Sequence, residues 1–516
     1  MSMVDTTVAS QRPSDASRSG DAVEHFDVLV VGAGISGIGA AWYLQQRCPD
    51  KTFVLLESQA GYGGTWRTHR YPGIRSDSDL FTFGYSFKPW MGKPIATAPE
   101  INSYLGEVLA ENNITPHIRY RHRIVSAAWH SGQKRWVIEA EQSSEDGLTE
   151  PQLRRFSASF LWMCQGYYRH EAGYMPDWPG MADFEGQIVH PQNWPDDMPL
   201  AGKRVVVIGS GATAATVVPA IAGQCAELTM LQRSPTFFIT GRNANELADT
   251  LRQLDIPPAW THEIVRRKIL FDQDRFTRRC VSEPEVVTQE LLTGVRNALG
   301  PGFDAVVEKH FTPRYRPWQQ RVAFVPDADL FKAIRDGHAQ VVTDEIERFT
   351  ADGIQLKSGQ HLAADIVVSA TGFNLSVLGD IAFSVDGQAL KFDETVTWRG
   401  AMFTGLPNLA WVFGYLRASW TLRTDLVGEF VCRLLKHMDS QGANMVVPTL
   451  RAQDQGMAMQ PWITPDNFNP GYMNRGVGQL PQQGSHAPWL HSQNYALEKL
   501  ELPAADLDDG SLKFTA

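Results

Sequence analysis

The alternation of hydrophobic and polar positions predicts two strand–helix–strand units. The first begins with the apolar run FDVLVV at Phe26, passes through a glycine-rich turn into a helix, and ends with TFVLLE. The second begins with RVVVIG, continues as a helix from about Ala212, and ends with ELTMLQR. Short runs of β-branched residues are typical of strands buried on both faces, so each unit is predicted to be a parallel βαβ fold.

Outside these units the pattern changes several times. Residues 121–141 alternate around a Ser131-Gly132 turn, which predicts a hairpin. From about Glu246 to Leu299 apolar residues recur at helical spacing and predict a helical insertion into the second unit. After this insertion the strand pattern resumes and ends in the segment ADIVVSATGF. An amphipathic helix is predicted from about Thr424 to Met438.

The turn of the first unit has the spacing Gly32-x-Gly34-x-x-Gly37, with Ser36 inside it. Such glycines permit a tight turn, close approach of a pyrophosphate, and close packing of helix on strand. The helix N-terminus also offers free N–H groups to phosphate. Glu57 ends the second strand, where a carboxylate binds ribose hydroxyls. The spacing alone is a weak signal, but with its strand, helix and acid it predicts a dinucleotide site.

The second turn has a similar spacing but no acid after the next strand. Its candidate binding positions are Gly209, Ser210, Gly211, Ala212, Thr213 and Ala214. Arg233 and Ser234 follow the next strand, where a guanidinium and a hydroxyl favour the 2′-phosphate of NADPH over NADH. The alternative interpretation is that Arg233 caps a surface strand.

Composition and charge limit the function classes. The 516 residues carry a formal charge of -10 and are 43% hydrophobic and 20% charged, which is typical of a globular chain and predicts no binding of nucleic acid. A local basic cluster is interpreted as a solvated helix face, with peripheral membrane contact as the alternative. Its members are Arg266, Arg267, Lys268, Arg275, Arg278 and Arg279. No apolar run approaches the roughly 18–20 residues that cross a bilayer, so no integral membrane segment is expected.

Two dinucleotide sites imply electron transfer between two cofactors, of which FAD with NADPH is the usual pair. A disulfide reductase would need closely spaced cysteines, and the five cysteines are scattered without a CxxC pair. The same scatter argues against a metal site and favours a reducing cytoplasm. Hydrolase motifs such as GxSxG and HExxH are absent from the sequence. Molecular oxygen or another diffusible acceptor remains as the destination of the electrons.

A further segment resembles a known family. The run FEGQIVHPQNWP from Phe184 to Pro195 is similar to the FxGxxxHxxxW(P) fingerprint of Baeyer–Villiger monooxygenases and related flavin monooxygenases. The runs GGTWRTHRYPGIRSDSD, GSGATA and QRSPT also resemble that family. The similarity extends from about Phe26 to the C-terminus and points to the ethionamide-activating branch.

The predicted fold class is therefore α/β, with two Rossmann-like dinucleotide-binding domains, for FAD and for NADP, and a helical insertion in the second. The predicted organisation has four parts. They are a disordered N-terminal extension over 1–24, a first part of the FAD-binding domain over 25–160, an NADP-binding domain over 161–364 with its insertion at about 244–300, and the rest of the FAD-binding domain with a C-terminal segment over 365–516.

The resemblance implies further cofactor contacts. It places the loop after Glu57 along the flavin, Ile124 against the adenine through its backbone, and Gly372 at a crossing between the two domains. Independently, a Gly-Gly turn allows backbone to approach a flat cofactor, and Trp66 offers a stacking face. The loop positions assigned to the flavin or its surroundings are Gly64, Thr65, Trp66, Arg67, Arg75 and Asp77.

The resemblance also implies the catalytic pair. Arg321, in the run PWQQRVAFVP, occupies the position of the family's catalytic arginine, and Asp77 that of its acidic partner. Many relatives have lysine where this chain has Gln320. A permanently charged guanidinium stabilises a peroxide anion. It also stabilises the alkoxide that forms when this peroxide attacks a ketone. The alternatives are an ordinary interdomain salt bridge for Arg321 and a loop-stabilising carboxylate for Asp77.

The predicted function is an FAD- and NADPH-dependent Baeyer–Villiger monooxygenase. It would insert one oxygen atom from O2 into ketones through a C4a-peroxyflavin, giving esters or lactones, and would also oxygenate sulfides or thioamides. The alternatives are an N- or S-oxygenating flavin monooxygenase, and a flavin-binding reductase or redox sensor without oxygenase activity. His190 is interpreted as structural. Candidates for the substrate pocket are Trp318, Trp411, Trp420 and Trp489.

Overall fold

The structure, a computed structural model, describes residues 23–464 and 468–516. The predicted extension over 1–24 therefore lies almost entirely outside the described residues. The α-helices are α1 Ile35–Arg47, α2 Thr65–Thr68, α3 Leu80–Phe83, α4 Ala98–Glu111, α5 Ala212–Ile221, α6 Glu246–Gln253, α7 Pro258–Ser282, α8 Pro284–Leu299, α9 Asp304–His310, α10 Asp329–Arg335, α11 Trp420–Ser440, α12 Gly471–Gly476 and α13 Tyr495–Glu501. Short 3-10 helices cover Thr115–His117, Met181–Asp183, Pro191–Asn193, Phe392–Glu394, Ala452–Asp454 and Val477–Gln479.

The strands are short and alternate with these helices. In chain order they are β1 Glu24–Val31, β2 Phe53–Leu56, β3 Ile118–Arg119, β4 His122–His130, β5 Arg135–Gln142, β6 Gln152–Met163, β7 Tyr168–Gly173, β8 Gln187–Val189, β9 Arg204–Ile208, β10 Glu227–Gln232, β11 Phe238–Gly241, β12 Ala323–Pro326, β13 Gln340–Thr343, β14 Ile346–Thr350, β15 Gly353–Leu356, β16 His361–Ala363, β17 Ile366–Ser369, β18 Phe373–Leu375, β19 Ala382–Val385, β20 Gln388–Ala389, β21 Thr397–Trp398, β22 Met402–Phe403, β23 Leu409–Trp411, β24 Met445–Pro448, β25 Gln460–Pro461, β26 Gln482–Gln483 and β27 Leu512–Thr515.

The first βαβ unit lies inside a nine-stranded sheet. The strand order is β20-β19-β4-β5-β6-β1-β2-β3, and β23 pairs with the carboxyl end of β6. Strand β1 is parallel to both β2 and β6, whereas β4, β5 and β6 form an antiparallel meander. The carboxyl end of β1 is buried between its neighbours, so the Gly32 turn emerges in the middle of the sheet edge. Ligands bind at this edge in open α/β sheets.

The second βαβ unit lies inside a five-stranded parallel sheet of order β13-β10-β9-β17-β8. Strand β6 ends at Met163 and still belongs to the first sheet, and β17 belongs to the second sheet. The chain therefore leaves the first sheet after β6 and leaves the second sheet after β17.

Four helices, α6 to α9, connect β11 to β12, which pair in parallel. One residue of the basic cluster contradicts the expectation of a solvated face. Arg266 of α7 is buried and donates to the carbonyl oxygens of Phe81, Thr82 and Gly84 at 3.0, 3.2 and 2.9 Å. It also pairs with Asp425 of α11 at 3.3 Å. Buried carbonyl oxygens are costly unless they accept hydrogen bonds, and the guanidinium of Arg266 supplies those bonds from inside the protein.

Helix α11 begins at Trp420, earlier than the predicted start at Thr424. The side chains of its first turn, including Thr421, are largely inside the protein, so this turn lacks the polar face by which an amphipathic helix is recognised. Helix α11 packs directly on α1. A Cβ added at Gly428 would lie 2.4 Å from the ring of Tyr43, so the approach requires glycine there.

A buried ion pair joins α11 to α13. The side chains of Arg423 and Glu498 are in contact and are 3% and 8% exposed, and Tyr415 donates to Glu498 at 2.6 Å. We expect Glu498→Ala to lower the free energy of unfolding by about 3–5 kcal/mol, because the charge of Arg423 would be left buried without its partner. Chemical denaturation measures this change.

The matched control is Asp336→Ala, which removes the partner of Arg335 from a pair whose side chains are 41% and 47% exposed. This change is expected to alter the free energy of unfolding by less than about 1 kcal/mol. Equal effects of the two substitutions would contradict the assignment of Glu498 as the essential partner of a buried charge.

Candidate active site

Both glycine turns open into one cavity of about 1400 Å³. Pockets for one small ligand typically measure roughly 300–1,000 Å³, so this cavity has room for more than one. Nineteen of the predicted site residues line it. They are Gly32, Gly34, Ser36, Glu57, Gly64, Thr65, Trp66, Arg75, Asp77, Ile124, Gly209, Ser210, Gly211, Ala212, Thr213, Arg233, Ser234, Arg321 and Gly372.

The first turn is shaped by close backbone contacts. Gly32 has a φ of 95°, in the left-handed region that favours glycine. A Cβ added at Gly37 would lie 1.9 Å from the carbonyl oxygen of Gly32, so helix and strand pack this closely only with glycine. Gly34 caps α1 without a side-chain hydrogen bond. The free N–H groups of the first turn of α1 are therefore available at the cavity wall.

Glu57 closes the first binding unit. Its Oε2 accepts a hydrogen bond from the N–H of Ala33 and its Oε1 from that of Gln59, both at 2.8 Å. Burial raises the pKa of Glu57, and these two N–H donors oppose the rise. The carboxylate is therefore held in one orientation at the edge of the cavity, with lone pairs remaining for ribose hydroxyls.

The second turn is held by contacts of the same kind. A Cβ added at Gly209, whose φ is 137°, would lie 2.4 Å from the carbonyl oxygen of Ala370. The hydroxyl of Ser210 donates to the carbonyl oxygen of Ser234 at 3.1 Å, which ties the turn to the end of β10. Arg233, next to Ser234, is exposed and lines the cavity. Its guanidinium lies near the carboxylate of Glu345, at the position predicted to meet the 2′-phosphate of NADPH.

Arg321 and Asp77 meet at the cavity between the two turns. The Nε of Arg321 donates to the Oδ2 of Asp77 at 2.6 Å, across 244 residues of sequence. Their side chains are 33% and 31% exposed. Burial alone would lower the pKa of Arg321, but the charge of Asp77 and the hydroxyl of Tyr472 more than offset it and raise the pKa. The guanidinium therefore stays charged.

Three tyrosines that the sequence analysis missed surround this pair on the cavity wall. Tyr167 donates to the hydroxyl of Tyr168 at 2.7 Å, and the ring of Tyr168 meets that of Tyr472 edge-on at 5.7 Å. Burial raises the pKa of each of these hydroxyls, while the charge of Arg321 opposes the rise. Tyr167 and Tyr168 directly follow Gly166 at the first crossing, which is a signal that could have found them. Tyr472 lies in an irregular stretch without such a signal.

Comparisons with known proteins assign the family. Residues 30–91 match the NAD(P)-binding Rossmann-like domain, and residues 97–246 match the group described as flavin-binding monooxygenase-like. The FAD-containing monooxygenase EthA of Mycolicibacterium smegmatis is 45% identical over 494 residues, which cover 95% of this chain and 97% of that protein. The chain belongs to the flavin-binding monooxygenase family. The predicted family and enzyme class are therefore confirmed.

Other members of the family and several solved structures extend this similarity. The probable FAD-binding monooxygenase AlmA of an Acinetobacter species is 42% identical, with 95% of this chain and 96% of that protein covered. An oxidized steroid monooxygenase bound to NADP has a TM-score of 0.73 at 21% identity, covering 95% and 99% of the two chains. The polycyclic ketone monooxygenase of the fungus Thermothelomyces thermophila has a TM-score of 0.76 at 17% identity, covering 97% and 91%. These structures confirm the predicted fold class.

As in any flavin-binding monooxygenase, the site must hold a flavin, and the residues present fit FAD. The free N–H groups of α1 suit its pyrophosphate and Glu57 suits its ribose, and Ile124 lines the same cavity. The loop at Gly64 faces the first turn so closely that a Cβ there would lie 3.2 Å from the Cα of Gly34. The Gly209 turn with Arg233 fits NADP(H) in the same way.

Three predicted positions of this monooxygenase do not line the cavity, and a fourth lines it with its side chain already paired. Gly37 and Ala214 are packing positions at which a helix lies on a strand. Arg67 does not line it either and lies against the backbone of Gly61. Arg75 lines the cavity, but its guanidinium forms a two-pronged pair with Asp329 of α10, at 2.5 and 3.2 Å.

The four candidate tryptophans also differ in whether they line the cavity, and His190 is held by the backbone. Of the four tryptophans, Trp420 lines the cavity, whereas Trp318, Trp411 and Trp489 are buried elsewhere. The Nε1 of Trp420 donates to the hydroxyl of Ser36 at 2.7 Å, so α11 is bonded to the first turn of α1.

Both ring nitrogens of His190 are bonded to backbone, Nε2 to the carbonyl oxygen of Gly372 and Nδ1 to the N–H of Gln192. That geometry leaves His190 no nitrogen for proton transfer.

The close packing at the first turn has a testable consequence. We expect Gly37→Ala to abolish most FAD binding, because the added Cβ would push α1 away from the carbonyl oxygen of Gly32. The flavin content of the purified protein, read from its absorbance spectrum, measures this. The control is Gly132→Ala, where a Cβ meets nothing within 4 Å. A Gly37→Ala protein with full flavin content would show that this contact does not shape the site.

Proposed function

We propose that this flavin-binding monooxygenase is a Baeyer–Villiger enzyme that uses FAD and NADPH. It converts ketones and O2 into esters or lactones, with NADP⁺ and water as the other products, and it also oxygenates sulfides or thioamides. The observation that carries the proposal is the charged Arg321, held by Asp77 at the cavity that both glycine turns share.

The relatives support a carbonyl substrate and the two cofactors. The structure with the higher of the two TM-scores is named a polycyclic ketone monooxygenase, and the other is a steroid monooxygenase bound to NADP. EthA is named FAD-containing. The sulfur substrates and the choice of ketone rest on family resemblance, and they are proposals for this chain.

Bound FAD, once reduced by NADPH, supplies the activated oxygen. The chain itself supplies the environment in which that oxygen meets a carbonyl group. The Nε of Arg321 donates its hydrogen bond to the Asp77 carboxylate. Among the described residues, neither Nη group of Arg321 has a hydrogen-bond acceptor. Both Nη groups are therefore free to donate to a substrate oxygen.

A ketone oxygen gains negative charge when its carbon is attacked. Because Asp77 fixes one edge of the guanidinium, the remaining donors of Arg321 are oriented before the substrate arrives, and this orientation stabilises the developing charge. The aromatic side chains of Tyr167, Tyr168 and Trp420 line the cavity nearby. Aromatic walls lower the local polarity, and a fixed cation there stabilises charge more strongly than the same cation in water.

The proposal includes an assignment of the two sheets and of the location. The first sheet, with residues from 25 onward and after the second crossing, holds FAD, and the second sheet holds NADP. The helices α6 to α9 form an insertion into the second unit. Support comes from Glu57 after β2 of the first sheet and Arg233 after β10 of the second, both of which line the cavity. The scattered cysteines favour the cytoplasm as the location.

Replacing Arg321 tests the proposed chemistry. We expect Arg321→Ala to lower kcat/KM for ketone oxygenation by about 100- to 1,000-fold, because loss of one such charge-stabilising donor costs about 2.7–4 kcal/mol. Flavin content and the thermal midpoint should be unchanged. Arg335→Ala, at an exposed pair, is the control. Ketone oxygenation within fivefold of the parent would refute the role of Arg321, whereas a parent enzyme that oxygenates amines or sulfides but no ketone would favour the N- or S-oxygenating alternative.

Replacing Arg233 tests the choice of nicotinamide cofactor. We expect Arg233→Ala to raise KM for NADPH by about tenfold or more, because a charged hydrogen bond to a 2′-phosphate contributes about 1.5–3 kcal/mol. KM for NADH, which lacks that phosphate, should change less than about twofold. Steady-state NADPH and NADH oxidation measure both constants. Arg348→Ala, at an exposed position of β14 that does not line the cavity, is the control; equal effects on both cofactors would contradict the assignment.

A further inference from the structure

The outward face of α7 combines large apolar side chains with high exposure. Helix α7 has 25 residues, which correspond to about 37 Å of length. Trp260, Ile264 and Phe271 are 64%, 38% and 63% exposed. Spacings of four and seven residues place these three on one face of the helix. Leu254, just before the helix, is 65% exposed. We call these four residues the α7 patch.

The opposite face of α7 is already packed within the protein. Thr261, Val265 and Cys280 are buried, and His262 accepts a hydrogen bond from the N–H of Trp90 at 3.0 Å. Arg266 bonds the carbonyl oxygens described above, and Gln273 donates to the carbonyl oxygen of Arg417 at 3.1 Å. The helix therefore has a fixed orientation, and the α7 patch is a stable outer surface.

Cations surround the apolar residues on this face. The side chains of Arg267 and Arg278 are 78% and 71% exposed, whereas those of their partners Glu263 and Asp274 are 40% and 29% exposed. Arg275 is exposed and has no ionic partner among the described residues. Lys268 pairs with Asp272 at similar exposure, 57% and 53%. The exposed basic residues of α7 therefore outnumber its acidic residues only by Arg275, although the whole chain has a formal charge of -10. Long basic side chains can extend toward phosphate while the aromatic rings lie deeper.

We propose that the α7 patch binds the surface of an anionic phospholipid membrane. Trp260, Ile264 and Phe271 enter the headgroup region, and the basic side chains between them contact lipid phosphates. Lysine is depleted in protein–protein interfaces, whereas here Lys268 lies between the apolar residues. Among the residues that the structure describes, no helix is long and apolar enough to cross a membrane. The contact is therefore one-sided.

This surface is one helix away from the cavity. Arg266 bonds the segment that contains Phe83, and Gln273 bonds the residue before Ala418, and both Phe83 and Ala418 line the cavity. Membrane contact along α7 would place this part of the cavity wall near the lipid. The binding proposal itself does not depend on the reaction that the cavity performs.

Sedimentation of the full protein with vesicles tests the proposal. The probes are vesicles of equal phosphatidylglycerol and phosphatidylcholine, and vesicles of phosphatidylcholine alone. We expect the protein to bind the anionic vesicles and to dissociate at high salt. The double variant Trp260→Ser/Phe271→Ser should lower the partition coefficient by about tenfold or more, and so should Arg267→Ser/Arg275→Ser.

The matched control is Leu497→Ser/Leu500→Ser on α13, whose side chains are 43% and 66% exposed. This variant should bind vesicles like the parent, and all variants should keep the parent's flavin content and thermal midpoint. Absence of binding by the parent, or equal binding by the patch variants, would overturn the proposal. A concentration-dependent dimer that Trp260→Ser/Phe271→Ser abolishes, without vesicle binding, would assign the α7 patch to a second copy of the chain and would also overturn it.

Discussion

The ion pair between Arg321 and Asp77 is the interaction on which the organisation of the cavity depends. Asp77 comes from the loop after the first βαβ unit, and Arg321 precedes β12 beyond the second. The two side chains are 33% and 31% exposed, so the pair adds little to folding stability and serves instead to fix the orientation of the guanidinium. Pairing them allows one fixed positive charge to remain inside a cavity that two nucleotide sites share.

The rest of the cavity wall is rigid for a related reason. At Gly37 and Gly209 the backbone approaches its neighbour more closely than any side chain would permit, so the two turns have little freedom to change shape. Helix α11 adds a third fixed element, because Trp420 is bonded to Ser36 of the first turn. The pair of Arg423 with Glu498 then ties the C-terminal segment to the same helix. A site built on such elements orients its donors before a ligand binds.

The two faces of helix α7 lie in different environments. Its inner face carries Arg266, a cation that is buried because carbonyl oxygens and Asp425 need it. Its outer face carries Arg267 and Lys268, the next two residues, whose charges face solvent. Helical periodicity alone separates these neighbours, since consecutive residues differ by about 100° around the axis.

The sequence by itself determined both glycine turns, the position of the acid Glu57, the α/β class and the family. Each of these depends on the spacing of residues within a short stretch of the chain. It also indicated Arg321 and Asp77, although only through resemblance. The tertiary structure decided what depends on distant segments meeting: the three tyrosines around Arg321, the commitment of Arg75 to Asp329, and the burial of Arg266. No local pattern distinguishes a buried arginine from an exposed one, since its environment is supplied by residues far along the chain. The same reason explains why Trp420, and none of the other three candidate tryptophans, lines the cavity.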